Sequence, residues 1–210
     1  MIGCCRDPGA AAALAADWGG ASRVQIEPLD VRDAGQVAAL VMRLATRPID
    51  VLLNVAGTMG RDGVADDYVG MGFGHTDYGD WLATLEINLF GPLRVAEALV
   101  ERVAASERRL IVNLTSVLGS IERNTVGGLY AYRSSKAALN AITRSMAIDL
   151  APRGIQVLAI HPGWVRTDKG GPKAALDPAD SVRQIRRTLA SVKRSMTGRF
   201  LAYDGTELPW

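Results

Sequence analysis

Short, nearly unbroken apolar runs constrain this chain more tightly than any other feature. Ile49–Asn54 (IDVLLN) and Ile155–His161 (IQVLAIH) are apolar almost throughout, and Arg108–Ser116 (RRLIVNLTS) is apolar in its middle and ends in hydroxyls. A strand with one wet face alternates polar and apolar residues, so runs like these belong to strands covered on both faces, as in parallel sheets. Met1–Cys5 (MIGCC), Arg23–Leu29 and Arg199–Tyr203 (RFLAY) read as further strands. The segments between them carry helix signals. Asp7 can cap a helix with Pro8 at its first position and Gly19 as its stop, and Asp33 can cap another that runs to Ala45. Asp80–Ala105 is a long helix with a kink or irregularity expected at Gly91-Pro92, and Pro178–Ser191 is the last helix. This alternation predicts an α/β fold, a doubly wound parallel sheet in a single domain over residues 1–210.

Composition narrows the function classes. With 210 residues the chain can bury a substantial core, and 48% hydrophobic with 22% charged residues is ordinary for a globular protein. A net charge of +2 gives no basis for binding nucleic acid. The densest basic stretch, Arg183, Arg186, Arg187, Lys193 and Arg194, reads as a solvated helix face. No apolar run reaches the ~18 residues of a membrane span and no leader pattern is visible, so a membrane is not an expected partner. Cys4 and Cys5 are adjacent and too few for a disulfide framework, which fits a reducing cytoplasm; no metal is expected.

In sheets of this kind, ligands collect at the carboxyl ends of the strands. Polar groups that packing does not explain fall there: Asn54, Ser116 and His161-Pro162-Gly163. The helix after Ser116 lies in Tyr130–Leu150, with Ala138, Ala141, Ile142, Met146 and Leu150 as its expected buried face. Tyr132 and Lys136 are four residues apart and share one side of that helix. A phenol ordinarily titrates near ~10, and an ammonium one turn away lowers that value, which makes Tyr132 a usable proton donor. The plain alternative is a chance pairing, so the pair gains meaning only from its surroundings.

Taken together, these residues resemble the short-chain dehydrogenase/reductase family. YRSSK (Tyr132–Lys136) matches its YxxxK motif, Ser116 in NLTSVLG stands at its catalytic serine, and Asn88 in INLFGP matches its helix asparagine. NVAG (Asn54–Gly57) is similar to its NNAG motif, and His161-Pro162-Gly163 matches its PG motif, with Thr167 following. YAYRSSKAALN, HPGWVRTD and GRFLAYDGTELPW are most similar to the C-factor-like carbonyl reductases within it. The resemblance spans essentially the whole chain. It implies a Rossmann-type fold and hydride transfer between a nicotinamide and a small carbonyl or alcohol substrate.

The resemblance also implies roles. Tyr132 donates the proton, Ser116 bonds the substrate oxygen, Lys136 lowers the Tyr132 pKa and binds the nicotinamide ribose, and Asn88 holds a water that links Lys136 to solvent. Arg6, Asp30, Val31, Asn54, Ala56, Gly57, Pro162, Gly163, Val165 and Thr167 join Tyr132 and Lys136 as implied cofactor contacts. Cys5 and Arg6 stand where NAD-selective relatives carry an acid, which favours NADP over NAD, with Arg6 on the 2′-phosphate. Plainer roles remain open: Ser116 as a strand-end cap, Asn88 as a backbone tie, Thr167 as a turn cap, Arg6 as a surface arginine. His75 reads as surface or substrate rim, and His161 as a residue that fixes a turn.

The family's opening strand, TGxxxGxG turn and first helix have no counterpart here, and in relatives that turn cradles the pyrophosphate. The corresponding strand would lie between Met1–Cys5 and Ile49–Asn54, so two inner edges are expected to be unpaired. Either the sequence is N-terminally truncated and begins at an internal Met, or the sheet closes differently, or a partner chain fills the gap. The first is the expectation, because Met1 stands where Val or Ile ordinarily begins that strand. An NADP-dependent reductase is the leading functional expectation. A catalytically inactive binding or signalling module is the second, and a fragment without function the third. The chain is expected to bind NADP weakly, and to form a homo-oligomer through its Asp80–Ala105 and Tyr130–Leu150 helices or its open edges. Thr58–Asp77 and Trp164–Leu176 are expected to line a mostly apolar pocket.

Overall fold

The apolar runs form strands, and the strands form two separate parallel sheets. The computed structural model describes residues 1–9, 11, 24–60 and 72–210. Strands β1 (Ile2–Cys5) and β2 (Gln25–Pro28) pair in parallel. Strands β3 (Val51–Asn54), β4 (Leu110–Leu114), β5 (Gln156–His161) and β6 (Phe200–Ala202) form a four-stranded parallel sheet in that order. The register brings Asn54 beside Asn113 and Leu114 beside Ile160, which aligns the carboxyl ends where the site is built.

Helix α1 (Ala34–Leu44) starts at Asp33, whose carboxylate accepts the Gly35 and Gln36 N–H groups at 2.8 and 3.0 Å. Helix α2 (Tyr78–Leu85) begins two residues before the expected Asp80 because Asp77 caps it. The irregularity expected at Gly91-Pro92 is a single π turn, Glu86–Phe90, immediately before α3 (Gly91–Ala104). Pro92 has no N–H to donate back into the preceding turn, which favours a register change there. Gly91 serves a second purpose: a Cβ at this position would lie 2.6 Å from Cγ2 of Val31, so only glycine admits the β2 side of the molecule. Helices α4 (Tyr130–Leu150) and α5 (Pro178–Ser191) have the expected bounds.

Helices cover both faces of the four-stranded sheet. On one face α3 and α4 pack Ala96, Val103, Met146 and Ala147 against Ile111 and Val157. On the other, Ile185 and Leu189 of α5 cover Leu110, Val112, Leu158, Ile160 and Leu201. Each fully buried Val, Leu, Ile or Met among them contributes about 1.5–3 kcal/mol. Helix α1 packs on α3 through Val37, Leu40, Leu44, Val95 and Leu99, and both Ile2 of β1 and Leu52 of β3 touch this cluster. Helix α3 therefore bridges the two sheets.

The buried face of α4 differs from the apolar one expected. It consists of Ser135, Lys136, Leu139, Asn140, Thr143, Met146 and Ala147, whereas Ala141 is exposed. Apolar spacing misreads a helix whose inward face is largely polar. The basic residues Arg183, Arg186, Arg187, Lys193 and Arg194 are exposed, as a solvated face requires. Asp7 accepts the Gly9 N–H at 2.9 Å, and the rest of the helix expected as far as Gly19 lies almost wholly outside the described residues. Among the described residues, no strand pairs with the free edges of β1 and β3, and Leu53 and Val55 are 42% and 55% exposed. No helix among the described residues is long and apolar enough to cross a membrane.

Candidate active site

Helix α4 is entered through a left-handed turn, with Gly127, Gly128 and Leu129 at φ 71°, 65° and 52°. A leucine rarely adopts this conformation, and here its side chain is buried, which holds the turn in place. The turn presents Tyr130 and Tyr132 to a cleft lined also by Met59, His75 and Asp77. His75 is exposed at its rim, as expected.

One turn further along, Lys136 is 5% exposed, and its ammonium donates to the Leu114 carbonyl at the end of β4 at 3.0 Å. Its Nζ lies 5.9 Å from the Tyr132 ring centroid, so the pair read from the sequence does form. Burial, and secondarily the charge of Lys169, push the Lys136 pKa down to about 8 from 10.5. Gly119 packs directly on the Lys136 backbone; a Cβ there would lie 2.8 Å from the Lys136 carbonyl carbon. Gly119 ends a 3₁₀ turn, Val117–Gly119, that Ser116 caps by accepting the Leu118 N–H at 3.2 Å. The cap uses a lone pair of the Ser116 hydroxyl and leaves its O–H able to donate.

Asn88 sits in the π turn and is completely buried. Its amide donates to the Thr58 carbonyl at 2.8 Å and to Ser135 Oγ at 2.9 Å, while Oδ1 accepts the Thr58 N–H at 2.8 Å. These three bonds make its side chain a strut between the Gly57 loop and α4, with one lone pair of Oδ1 left over. Asn54 is tied down in a similar way. Both of its amide hydrogens are spent, on Asn113 Oδ1 at 2.8 Å and the Pro92 carbonyl at 3.4 Å, and Asn113 continues to Thr143 at 2.9 Å. Its side chain ties β3 to β4, α3 and α4. Ser135, Asn113 and Thr143 were not singled out from the sequence; only their burial identifies them.

Gly57 is the meeting point of the site. A Cβ there would lie 3.3 Å from Asn88 Oδ1 and 3.4 Å from Lys136 Nζ. Ala56, beside it, is exposed. After β5, Pro162 accepts the Ser181 hydroxyl at 2.6 Å, and Gly163 (φ 87°) leaves no room for a Cβ, which would approach Leu176 to 2.4 Å. Val165 bridges to Leu176, and Thr167 caps the next turn by accepting the Gly170 N–H, which is the plainer of its two roles. Lys169, missed in the sequence, reaches back from this segment to donate to the Gly57 carbonyl.

Arg6, Asp30 and Val31 lie at the carboxyl ends of β1 and β2, on the smaller sheet. Asp30 is paired with Arg32 at 2.6 Å, and that hydrogen-bonded guanidinium draws its pKa down to about 2. Val31 is engaged on two sides, by Gly91 and by Arg94, which donates to its carbonyl at 2.7 Å. The structure thus gathers Gly57, Asn88, Ser116, Tyr132 and Lys136 around one end of the larger sheet, with Arg6, Asp30 and Val31 on the smaller one.

Parallel strands covered by helices, with the polar groups collected at their carboxyl ends, define a Rossmann-type α/β fold. Residues 5–202 match the family profile described as enoyl-(acyl carrier protein) reductase. The C-signal of Myxococcus xanthus is 44% identical over 172 residues, covering 82% of this chain and 99% of that protein. Among solved structures, the carbonyl reductase Sniffer of D. melanogaster superposes with a TM-score of 0.88 at 34% identity, covering 100% of this chain and 87% of the other. A short-chain dehydrogenase/reductase from Burkholderia multivorans with bound NADP gives 0.86, also at 34% identity and with the same coverage. The chain belongs to the short-chain dehydrogenase/reductase family.

His161, at the end of β5, generates a prediction. Its Nδ1 is buried and has no partner among the described residues, and burial, then Arg123, push its pKa down to about 4 from 6.5. The folded value lies below the unfolded one, so the unfolded chain takes up the proton first as pH falls. The contribution of this group should therefore fall from pH 6.5 to about 4 and level off below, by roughly 3 kcal/mol before solvent screening. Urea unfolding across this range, compared with His161→Gln, checks it: the variant should lack that part of the slope, and identical slopes would show that His161 titrates normally.

Proposed function

We propose that this chain is an NADP(H)-dependent oxidoreductase that interconverts a small, mostly apolar carbonyl compound and its alcohol. The observation that carries this reading is the buried Lys136 ammonium beside the Tyr132 ring. The residues fit the nicotinamide end of a dinucleotide: Gly57 keeps the approach to Lys136 open where any Cβ would narrow it. When bound, the reduced nicotinamide supplies the hydride. Tyr132 gives its phenolic proton to the carbonyl oxygen as the carbon is reduced, and the Ser116 O–H donates to the same oxygen. Lys136 stabilises the phenolate that remains, and Tyr132 regains a proton from solvent before the next turnover. Arg6 is assigned to the 2′-phosphate, and Tyr132 and Lys136 to the nicotinamide ribose. Asp30, Val31, Ala56, Pro162, Gly163, Val165 and Thr167 shape the rest of the cofactor surface, Val165 and Thr167 by holding the segment after β5.

A catalytically silent binding or signalling module is the second reading. The split sheet favours it, because among the described residues the two ends of a dinucleotide would rest on pieces joined without strand pairing. The name of the Myxococcus xanthus relative is in keeping with it. The two readings part on one substitution. Tyr132→Phe removes the proton donor and should lower reduction of a simple aryl ketone with NADPH by ~100-fold or more at unchanged thermal stability, with Tyr130→Phe close to wild type. Loss of activity in Tyr130→Phe with Tyr132→Phe intact would overturn the assignment, and a wild-type chain that binds NADPH without turnover would favour the module.

We also propose that the chain self-associates. Leu82 and Ile148 expose large apolar surface on α2 and α4, and the edges of β1 and β3, which no strand covers among the described residues, invite further strands. Light scattering should give a mass at least twice 22.4 kDa. A stable monomer at high concentration would contradict it.

A further inference from the structure

After β6 the chain reverses and runs back alongside that strand. The Ala202 N–H donates to the Thr206 carbonyl and the Leu208 N–H to the Phe200 carbonyl, both at 2.8 Å. Leu208 is buried in one cluster with Phe200 and Ala202. This return carries Trp210 onto the ring of the fully buried Phe200, with centroids 5.6 Å apart and planes 25° from parallel. There the backbone oxygen of Trp210 meets the loop that follows Ser116. It accepts the Ile121 N–H at 3.1 Å, the Glu122 N–H at 3.2 Å and the Ser120 hydroxyl at 3.3 Å. Ser120 is buried and in turn accepts the Arg123 N–H at 3.2 Å. Burial of an indole needs no polar contact. Three donors converging on one oxygen fix the direction of the loop as well as its depth.

The two sides of Ser116 are anchored differently. Before it, Thr115 is tied to the sheet by its N–H on the Ile160 carbonyl at 2.8 Å, and its hydroxyl reaches the Lys136 carbonyl at 3.4 Å. After it, α4 offers only long bonds: the Asn140 amide on the Gly119 carbonyl at 3.3 Å and the Arg133 guanidinium on the Leu118 carbonyl at 3.5 Å. Gly119 has no side chain with which to hold its place on the Lys136 backbone. The Trp210 contact, next along the chain at Ser120, keeps the turn Val117–Gly119 from lifting away. Ser116 caps that turn through a lone pair, so the direction of its O–H follows wherever the turn is held. We infer that Trp210, stacked on Phe200, positions the Ser116 hydroxyl toward the substrate oxygen by clamping this turn, an inference that rests on the NADP(H) reading above. Trp210 is a positioning residue and acts through Ser120. Small errors matter here, because a displacement of about 1 Å at a reacting group can cost about 100-fold in rate.

Hydrogen exchange tests the clamp, and turnover tests what the clamp does. In Trp210→Ala, the amides of residues 117–123 should exchange ~10-fold faster, with those of β3 unchanged. With NADPH and a simple aryl ketone, kcat of this variant should fall ~10-fold, while calorimetric NADPH affinity stays within about 2-fold. The loss should be the same at every pH, because a serine hydroxyl does not titrate in the working range. Trp210→Phe keeps an aromatic ring for Phe200 and should stay close to wild type in both readouts. Should Trp210→Ala not fold, Ser120→Ala removes a single donor and should show the same pattern with kcat lowered ~3-fold. Unchanged kcat in the folded variant overturns the inference, as does an equal loss of NADPH affinity, which would make the tail a general support. A displaced pH profile overturns it too, because the effect would then run through Lys136. Faster exchange in the variant beside a wild-type chain without turnover would remove the NADP(H) reading itself, and the positioning role with it.

Discussion

The buried ammonium of Lys136 is the constraint on which the rest of the structure depends. Taking an ammonium out of water costs several kcal/mol, and the depression of its pKa to about 8 records part of that cost. The compensation comes from backbone and aromatic groups: the Leu114 carbonyl at 3.0 Å and the face of Tyr132. Each partner must be placed by a different element. Strand β4 ends at Leu114 so that its carbonyl is free to accept, and Gly119 lacks a side chain so that the turn after Ser116 can lie against the Lys136 backbone. The π turn then brings Asn88 to the Gly57 loop, and Gly57 leaves the charge accessible on one side.

Behind this charge lies a polar seam that packing energy alone would not build. Asn54, Asn113, Thr143 and the Leu139 carbonyl form a continuous ladder across β3, β4 and α4, and Asn88 joins Ser135 to the Thr58 backbone. Satisfied buried networks fix one arrangement, because each broken bond leaves an unpaired group that costs ~1–3 kcal/mol. This seam is what the sequence conceals. Apolar runs made the strands legible, caps such as Asp33 made helix starts legible, and the spacing of Tyr132 and Lys136 made their pairing legible. A polar inward face has no comparable periodic signal. Asn54 and Asn88 were therefore visible as motif residues but not as struts, and Ser135 and Thr143 were invisible between their neighbours. Lys169 escaped for another reason: its importance comes from a contact with Gly57, more than a hundred residues away in sequence.

The two-sheet arrangement shows how much of a parallel sheet's integrity can be carried by helices. Among the described residues, strands β1 and β2 pair with no strand of the larger sheet. They are held by α1 against α3, by the close approach of Val31 to Gly91, and by Arg94 on the Val31 carbonyl. On the proposed reading this junction matters to function, because the nicotinamide end of the cofactor belongs to one sheet and the adenosine end to the other. Motion between them would weaken binding without disturbing the Tyr132–Lys136 pair, which lies wholly on the larger sheet.

The central claim is that this arrangement moves a hydride, with Tyr132 supplying the proton separately. Reduction of a simple aryl ketone by NADPH carrying deuterium at the transferring ring carbon, followed by mass spectrometry of the alcohol, tests this most directly. The expected product carries deuterium on the carbinol carbon and a solvent-exchangeable hydrogen on oxygen. Solvent-derived hydrogen on that carbon, or unlabelled alcohol formed at the same rate without the cofactor, would contradict hydride transfer by this site.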